Sequence, residues 1–333
     1  IIKNCKVYAR MSPTQKATLV EELQVNSGEM IGMCGDGAND CAALKSADVG
    51  LSLSEAEASI VAPFTSKIQD ISSCVTLLIL GRASLDLSYE LFKYMIVYTY
   101  IQFMSVMILN TMTASFDDTQ YIFFDLGGVV PITMLLCWTK PKTYLINKRP
   151  VGSLFSWTIF FSIYGQIVIM LLFLLGTWFN MRSQNFYTRT EKTSDVTTDG
   201  DESTVIFFLT NPMYVFMGIS FHISTQFRQP IYTNIPFMVL LTVQFAVIGW
   251  ITLGPQGWME YALQISKIDF YFRYIIVGTA IFNGILTIIY EQIVQRTVGK
   301  MEMETPIVYS KPRRILIPNI NGNYTSGGKP KID

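Results

Sequence analysis

Residues 33–45 read MCGDGANDCAALK, and this stretch decides the fold of the first part of the chain. A short apolar run, residues 30–34, leads into it and is typical of a buried parallel strand. The segment GDGAND follows at once, and a helix is predicted from about residue 41 to residue 46. The glycines of this segment permit a tight turn and a close approach of the backbone. The sequence therefore predicts a strand, a sharp turn that carries two carboxylates, and a helix.

Strands and helices alternate on both sides of this stretch. Residues 5–9 alternate between polar and apolar and predict a short strand. Residues 12–15, Ser-Pro-Thr-Gln, contain a serine cap, a proline at the first helical position and a glutamine that completes a capping box. The helix that they start runs to about residue 25 and ends at residues 26–28. Residues 48–53 predict another strand, and the alternation indicates an α/β domain with a doubly wound parallel sheet.

Acidic and amide side chains fall at the carboxyl ends of these strands, where such sheets bind ligands. Asp36 and Asp40 can both face one Mg²⁺ ion, which takes one or two carboxylates together with phosphate oxygens and water. Lys16, early in the preceding helix, can supply a positive charge to a phosphoryl group at the same edge. Two plainer interpretations stay open, namely an acidic turn with capping Asp and Asn side chains and a solvated helix lysine.

The rest of the chain has the composition of a membrane protein. Half of the 333 residues are hydrophobic and only 15% are charged, whereas soluble domains have about 25% charged residues. Six apolar stretches approach the ~20 residues that cross a bilayer: 94–113, 121–138, 156–179, 205–226, 232–253 and 271–291. Six buried helices of a soluble bundle are the alternative, but such helices carry a polar stripe that these stretches lack.

These patterns predict four parts of the chain. Residues 1–74 form the α/β domain, residues 75–93 a stalk helix that runs into the first span, residues 94–291 an all-α membrane domain, and residues 292–333 a tail. The formal net charge of +0 argues against nucleic acid as a main partner. Membrane lipid is a predicted partner, and the basic tail can meet anionic lipid headgroups.

The lysines and arginines between the spans predict the orientation of the membrane domain. The loop after the second span and the tail after the sixth are rich in basic residues, whereas the first and third loops are mainly acidic. The positive-inside rule then places both ends of the chain in the cytosol.

One acid lies in the core of a predicted span, and it indicates a binding site. Asp125 is that residue, and an intramembrane carboxylate is by default a candidate functional group. Tyr98 and Gln102 lie four residues apart on one face of the first span, and aromatic rings attract ammonium groups. We predict that these three residues bind a cationic cargo. Ordinary helix packing of Tyr98 and an interfacial place for Asp125 are the alternatives, and His222 is expected to be a packed side chain rather than a ligand.

The motifs ARMSPTQK (9–16), MCGDGANDCAALKSADVGLSLSEAEASIVAPFTS (33–66) and GRASLDLSYELFKYMIVYTYIQFMSV (81–106) resemble those of the P-type ATPases. Cys34 and the segment SEAEAS (54–59), followed by PFTS (63–66), are similar to the corresponding sequences of the type V family, subgroup B. The resemblance covers the whole chain. It implies the end of a haloacid-dehalogenase-like phosphorylation domain, followed by the fifth to tenth membrane helices of the pump.

The resemblance also implies roles for the candidate residues. Lys16 matches the lysine that contacts the phosphoryl group, Asp36 matches the Mg²⁺-binding aspartate, and Asn39 and Asp40 match the residues that organise the phosphate site and its metal. Tyr98, Gln102 and Asp125 match residues that line the cargo path in polyamine transporters. Mg²⁺ and ATP are the implied cofactors. The DKTGT motif with the phosphorylated aspartate does not occur in the sequence, so the nucleophile and most of the ATP site are expected in a missing N-terminal part, and the chain alone is predicted to be inactive.

The function that the resemblance implies is ATP-driven transport of polyamines or other cations through an aspartyl-phosphate intermediate. The implied location is a late endosomal, lysosomal or recycling endosomal membrane. Two alternatives stay open. An inorganic divalent-cation pump calls for several acids or amides clustered in the spans, and a truncated membrane fragment would act as a scaffold or inhibitor of the full pump without catalysis.

Overall fold

The computed structural model describes residues 5–54, 57–146, 150–187, 198, 200–223, 226–255, 257–301, 317–318 and 324–325. The chain divides into two compact units. The first comprises residues 1–78 with residues 306–333, and the second comprises residues 79–305.

The first unit contains a small parallel sheet with helices around it. Its elements in chain order are α1 (Pro13–Ser27), β1 (Gly32–Gly35), α2 (Cys41–Ser46), β2 (Val49–Ser52), α3 (Glu57–Val61) and β3 (Phe64–Thr65). The strands follow the order β1-β2-β3, and both pairings are parallel. A short 3₁₀ turn, Ala38–Asp40, leads from β1 into α2. The predicted α/β arrangement with a parallel sheet is therefore confirmed.

Local sequence signals explain where α1 begins and ends. The Ser12 side chain accepts from the Gln15 backbone N–H, and the Gln15 side chain accepts from the Ser12 backbone N–H, so the capping box is present. Gly28 ends the helix with a φ of 68°, a left-handed conformation that glycine adopts without strain. The predicted helix is confirmed, and it is two residues longer than expected.

The predicted strand at residues 5–9 is wrong. These residues are exposed and irregular. Strand conformation needs a neighbouring strand to take its backbone hydrogen bonds, and none of the described strands lies against them. In the other direction, the sequence did not predict β3, which has only two residues and gains its regularity from pairing with β2.

The second unit is helical. A single helix of 39 residues, α4 (Ser72–Asn110), begins in the first unit and continues into the second. The later helices are α5 (Asp118–Ile122), α6 (Val130–Leu136), α7 (Trp157–Arg182), α8 (Asp201–Ile223), α9 (Ile235–Leu253), α10 (Gly257–Ala262) and α11 (Phe270–Val294). In the tail, Ile317–Pro318 (β4) pairs antiparallel with Tyr324–Thr325 (β5).

Six helical segments of the described residues are long and apolar enough to cross a membrane, which confirms the predicted number. They are Ser72–Asn110, Asp118–Leu136, Trp157–Arg182, Asp201–Ile223, Ile235–Leu253 and Phe270–Gly299. Almost every residue of α8 is buried, whereas the other segments expose apolar side chains. The protein is therefore a multi-pass membrane protein in which α8 is the central helix.

The second span is not a regular helix. Residues Phe123–Val129 form a π-helical segment between α5 and α6. Gln244 on α9 donates from Nε2 to the carbonyl oxygens of Gly127 (2.9 Å) and Gly128 (3.2 Å). A neighbouring helix thus satisfies backbone groups of the irregular segment, as a membrane interior requires.

Candidate functional site

The candidate phosphate site in the first unit lies at the carboxyl end of β1. Asp36 follows the strand directly and is exposed, whereas Asp40 ends the 3₁₀ turn and is buried. Lys16 on α1 donates from Nζ to Asp40 Oδ1 at 2.9 Å. The fold thus brings together Lys16 and Asp40, which are 24 residues apart in sequence.

Gly35 allows this arrangement. A Cβ atom at residue 35 would lie 2.6 Å from Asp40 Cβ and 2.7 Å from Asp40 Oδ2. The Asp40 side chain therefore occupies the space that any larger residue at position 35 would need. This contact fixes the carboxylate between the strand end and Lys16.

The pKa of the Cys34 thiol reflects the charges at this edge of the sheet. Burial raises its pKa to about 11, with further contributions from the Cys74 thiol and from the charges of Asp36 and Asp40. Both carboxylates thus act on one position at the strand end. Asn39 is exposed in the same turn.

These donors fit a Mg²⁺ ion. One exposed carboxylate and a second, lysine-paired carboxylate match an ion that takes one or two protein carboxylates and completes its shell with phosphate oxygens and water. A site built wholly from protein would need more ligands, and the described residues contain no group of three or more His, Cys, Asp or Glu side chains. The prediction that Asp36 and Asp40 are metal ligands and that Lys16 and Asn39 face the phosphate therefore stays a prediction that the chemistry permits.

The candidate cargo site lies in the second unit. Asp125 belongs to the π-helical segment, and the Tyr98 hydroxyl of α4 donates a short hydrogen bond to Asp125 Oδ1. Both side chains are half-buried. Gln102 lies one turn further along the same face of α4 and is also half-buried. The structure thus joins Tyr98 with Asp125, and it gives Gln102 no hydrogen bond to either of them.

Aromatic rings surround this pair. Tyr214 on α8 meets Tyr98 edge to face with the ring centroids 5.3 Å apart. Phe124, next to Asp125, meets Tyr214 at 5.5 Å and Phe207 at 5.1 Å. The Asp125 carboxylate therefore accepts a hydrogen bond from the Tyr98 hydroxyl, and the faces and edges of aromatic rings line the site.

Two buried acids escaped the sequence analysis. Glu90 on α4 and Glu291 on α11 are 2% and 0% exposed, although they lie near the ends of apolar stretches. Helical spacing is the signal that identifies Glu90, because Glu90, Tyr94 and Val97 fall on the buried face of α4. For Glu291 the signal is the four-residue spacing from Thr287, which is also fully buried.

Each of these acids has a basic partner. Glu90 forms an ion pair with Arg228 through Oε2, and its Oε1 lies 3.0 Å from His222 Nδ1. Lys93 donates to Glu291 Oε1 at 2.8 Å, and Ser162 donates to Glu291 Oε2 at 2.7 Å. His222 is buried against Glu90 and Arg228, as a packed side chain is.

Comparison with known proteins identifies relatives of this chain. No family model matches it. It is 37% identical over 299 residues to the polyamine-transporting ATPase 13A2 of Mus musculus. This alignment covers 89% of this chain and 25% of the relative. It is 38% identical over 294 residues to the Homo sapiens protein of that name, over 87% of this chain and 25% of the relative. The vacuolar cation-transporting ATPase YPK9 of Saccharomyces cerevisiae is 36% identical over 284 residues, over 85% of this chain and 19% of the relative.

The relatives, together with the parallel sheet and the six spans, define the class as the P-type ATPases. Within it, the chain belongs to the type V P-type ATPases. The chain spans about a quarter of the length of the mammalian relatives it matches.

Proposed function

We propose that this chain is the C-terminal part of an ATP-driven pump that moves polyamines or other cations across an endolysosomal membrane through an aspartyl-phosphate intermediate. Relatives with the printed names polyamine-transporting ATPase and vacuolar cation-transporting ATPase support this proposal. The observation that carries it is the Tyr98–Asp125 pair in an irregular segment of a membrane span.

The phosphate edge of the first unit supports the ATPase half of the proposal. We propose that residues 1–74 belong to a haloacid-dehalogenase-like phosphorylation domain, in which Asp36 and Asp40 hold Mg²⁺. When bound, the ion neutralises charge on phosphoryl oxygens. Lys16 orients the Asp40 carboxylate and presents a positive charge at the same edge. Asn39 adds an amide donor to the turn.

The membrane site supports the cargo half. A polyamine carries ammonium groups on an apolar chain, and the site offers one carboxylate with tyrosine and phenylalanine rings around it. Ammonium groups are attracted by carboxylates and by aromatic faces. Gln102 provides a neutral hydrogen-bonding group one turn from Tyr98.

An inorganic divalent cation is the second candidate cargo. Such an ion needs several oxygen ligands at one place. In the described part of the chain, no three acidic, histidine or cysteine side chains come together, and this favours the organic cation.

We test the cargo site by the ATPase rate of the full-length pump at increasing concentrations of spermine, spermidine, Mn²⁺ and Zn²⁺. Asp125→Asn removes the charge and keeps the shape, so the polyamine concentration for half-maximal rate is expected to rise at least about tenfold, roughly 1.4 kcal/mol. Asp118→Asn is the matched control, because Asp118 is exposed seven residues earlier in the same span. An unchanged polyamine response in Asp125→Asn, or stimulation by the metals alone, overturns the cargo assignment.

We test the phosphate site by phosphoenzyme formation in the full-length pump. Asp36→Asn is expected to raise strongly the Mg²⁺ concentration needed for half-maximal phosphoenzyme formation, because one of two charged ligands is lost. Normal Mg²⁺ dependence in this variant removes the metal assignment. The 333 residues alone are expected to show no ATP hydrolysis, since they contain no DKTGT nucleophile motif.

We also propose the cellular setting. The pump is a multi-pass protein of the late endosomal, lysosomal or recycling endosomal membrane, with both ends of this chain in the cytosol. The distribution of basic residues between the loops supports the orientation.

A further inference from the structure

A stripe of polar side chains runs along the buried face of α11. Asn283, Thr287 and Glu291 are spaced by four residues, and each is 0% exposed. Residues four apart lie above one another on a helix, so the three side chains form one line. At 1.5 Å per residue the line is about 12 Å long. Most of the other buried residues of α11 are apolar.

The helices packed against this stripe add polar groups to it. On α7, Ser162 donates to Glu291 Oε2 at 2.7 Å, and Gln166 donates from Nε2 to the Thr287 carbonyl oxygen at 3.1 Å. On α8, Ser220 donates to the same carbonyl oxygen at 3.1 Å. We name this set the polar seam, and it consists of Ser162, Gln166, Ser220, Asn283, Thr287 and Glu291.

Four atoms toward the Asn283 end of the polar seam have no hydrogen-bond partner among the described residues. They are Gln166 Oε1, Thr287 Oγ1 and both amide atoms of Asn283. Buried polar groups in folded proteins are nearly always paired with protein or with ordered water. These orphan atoms belong to neighbouring residues, whereas the opposite end of the seam, where Ser162 meets Glu291, is satisfied by protein.

The register of α7 and α11 explains why protein does not satisfy Asn283. Ser162 faces Glu291 and Gln166 faces Thr287, so the two helices run in opposite directions. The next step of four residues places Met170 opposite Asn283. Met170 is 1% exposed, and its thioether has no donor and is a weak acceptor.

We propose that the polar seam is a binding site for ordered water molecules that join α7, α8 and α11 inside the membrane unit. Water fits the orphan atoms because they include both donors and acceptors, and a buried water makes about three hydrogen bonds of either kind. A metal cation cannot bind the donor NH₂ group of the Asn283 amide, and the Glu291 carboxylate repels an anion. The six residues of the seam do not include Tyr98, Gln102 or Asp125, so the inference does not rest on the proposed cargo.

Radiolytic hydroxyl labelling of the purified membrane protein tests the proposal, because radicals form from water bound next to a side chain. Met170 is expected to be oxidised several times faster than Met181. Met181 is the matched control, since it is also fully buried on α7 and lies eleven residues beyond Met170, outside the seam. In Asn283→Leu the two rates are expected to become equal.

Thermal unfolding provides the second measurement. If water satisfies the Asn283 amide, Asn283→Leu breaks those hydrogen bonds and lowers the melting temperature, whereas Asn283→Thr keeps a polar group and loses less. If the seam is dry, Asn283→Leu removes two unsatisfied atoms and raises the melting temperature. Equal oxidation of Met170 and Met181 in the unsubstituted protein overturns the proposal, even where a variant does not fold.

Discussion

The contact between Gly35 and Asp40 shows that the absence of a side chain on Gly35 gives the charged side chain of Asp40 its position. Asp40 fills the space beside the Cα atom of Gly35 and reaches Lys16 from there. The sequence motif predicted that acids and a lysine gather at this strand end. It did not predict that Lys16 and Asp40 pair with each other, because the pair depends on how α1 packs against α2 and the turn before it.

Gly35→Ala is expected to disturb this site. The new Cβ would overlap with Asp40, and such overpacking costs about 1–3 kcal/mol of unfolding free energy. The melting temperature of the purified protein is therefore expected to fall. In the full-length pump, phosphoenzyme formation is expected to decrease as Asp40 moves away from Lys16.

Gly32→Ala is the matched control on the same strand. Its new Cβ would meet only the Val49 carbonyl oxygen, at the ordinary distance of 3.8 Å, so a change within about 0.5 kcal/mol is expected. Equal melting temperatures of the two alanine variants would show that the Gly35–Asp40 contact does not constrain the turn.

At the scale of the elements, an ion pair holds three segments of the membrane unit together. Glu90 comes from α4, His222 from α8, and Arg228 from the segment after α8. Arg228 also donates from Nη1 to the Leu136 carbonyl oxygen at 3.0 Å, at the end of α6. Burial lowers the pKa of Arg228 to about 10, and the charge of Asp86 opposes this shift. The guanidinium thus stays charged at neutral pH and can neutralise Glu90.

Arg228→Met is expected to be strongly destabilising, because it leaves Glu90 buried without its basic partner. Removing one member of a buried ion pair costs about 3–5 kcal/mol. The double variant Glu90→Gln with Arg228→Met removes the stranded charge and is expected to recover part of this loss. Melting temperatures of the single and double variants, compared as a double-mutant cycle, give the coupling between the two residues.

Lys140→Met provides the control, since Lys140 is exposed a few residues after α6. It is expected to change stability by less than about 0.5 kcal/mol. If the double variant is no more stable than Arg228→Met alone, Glu90 is not the group that Arg228 neutralises.

Local signals predicted the elements that depend on local chemistry. The capping box of α1, the glycine at its end and the apolar run of β1 are of this kind, and so are the long helix α4 and the six apolar segments. What the sequence could not predict depends on neighbours. β3 needs β2, the π-helical segment is supported by Gln244, and the burial of Glu90 depends on Arg228 from a distant segment.

At the scale of the whole molecule, the length of α4 bears on the membrane arrangement. Its 39 residues rise about 1.5 Å each and extend about 58 Å, whereas the hydrocarbon core of a bilayer is about 30 Å thick. The helix is therefore long enough to cross the membrane and to continue outside it. Its first part contains charged residues such as Arg82 and Asp86, and its second part is the apolar stretch that the sequence assigned to the first span.

The positive-inside rule predicts which side each loop faces. Residues that follow α6 include the bases Lys140 and Lys142, whereas the connection from α4 to α5 contains no base and ends in Asp117, which is followed by Asp118 at the start of α5. Basic loops are retained in the cytosol. We therefore expect Cys137, which is exposed at the end of α6, to lie on the cytosolic side together with both ends of the chain.

Labelling with a membrane-impermeant maleimide checks this orientation in sealed vesicles of known sidedness. Cys137, kept as the only cysteine, is expected to react from the cytosolic side alone. Asp118→Cys, in a background without other cysteines, is expected to react only from the opposite side, because Asp118 is exposed at the start of the second span. A span separates the two positions, so reaction of both from one side would mean that residues 118–136 do not cross the membrane. Reaction of each position from the side opposite to the one expected would mean that residues 118–136 still cross the membrane, but in the orientation opposite to the one that the charges predict.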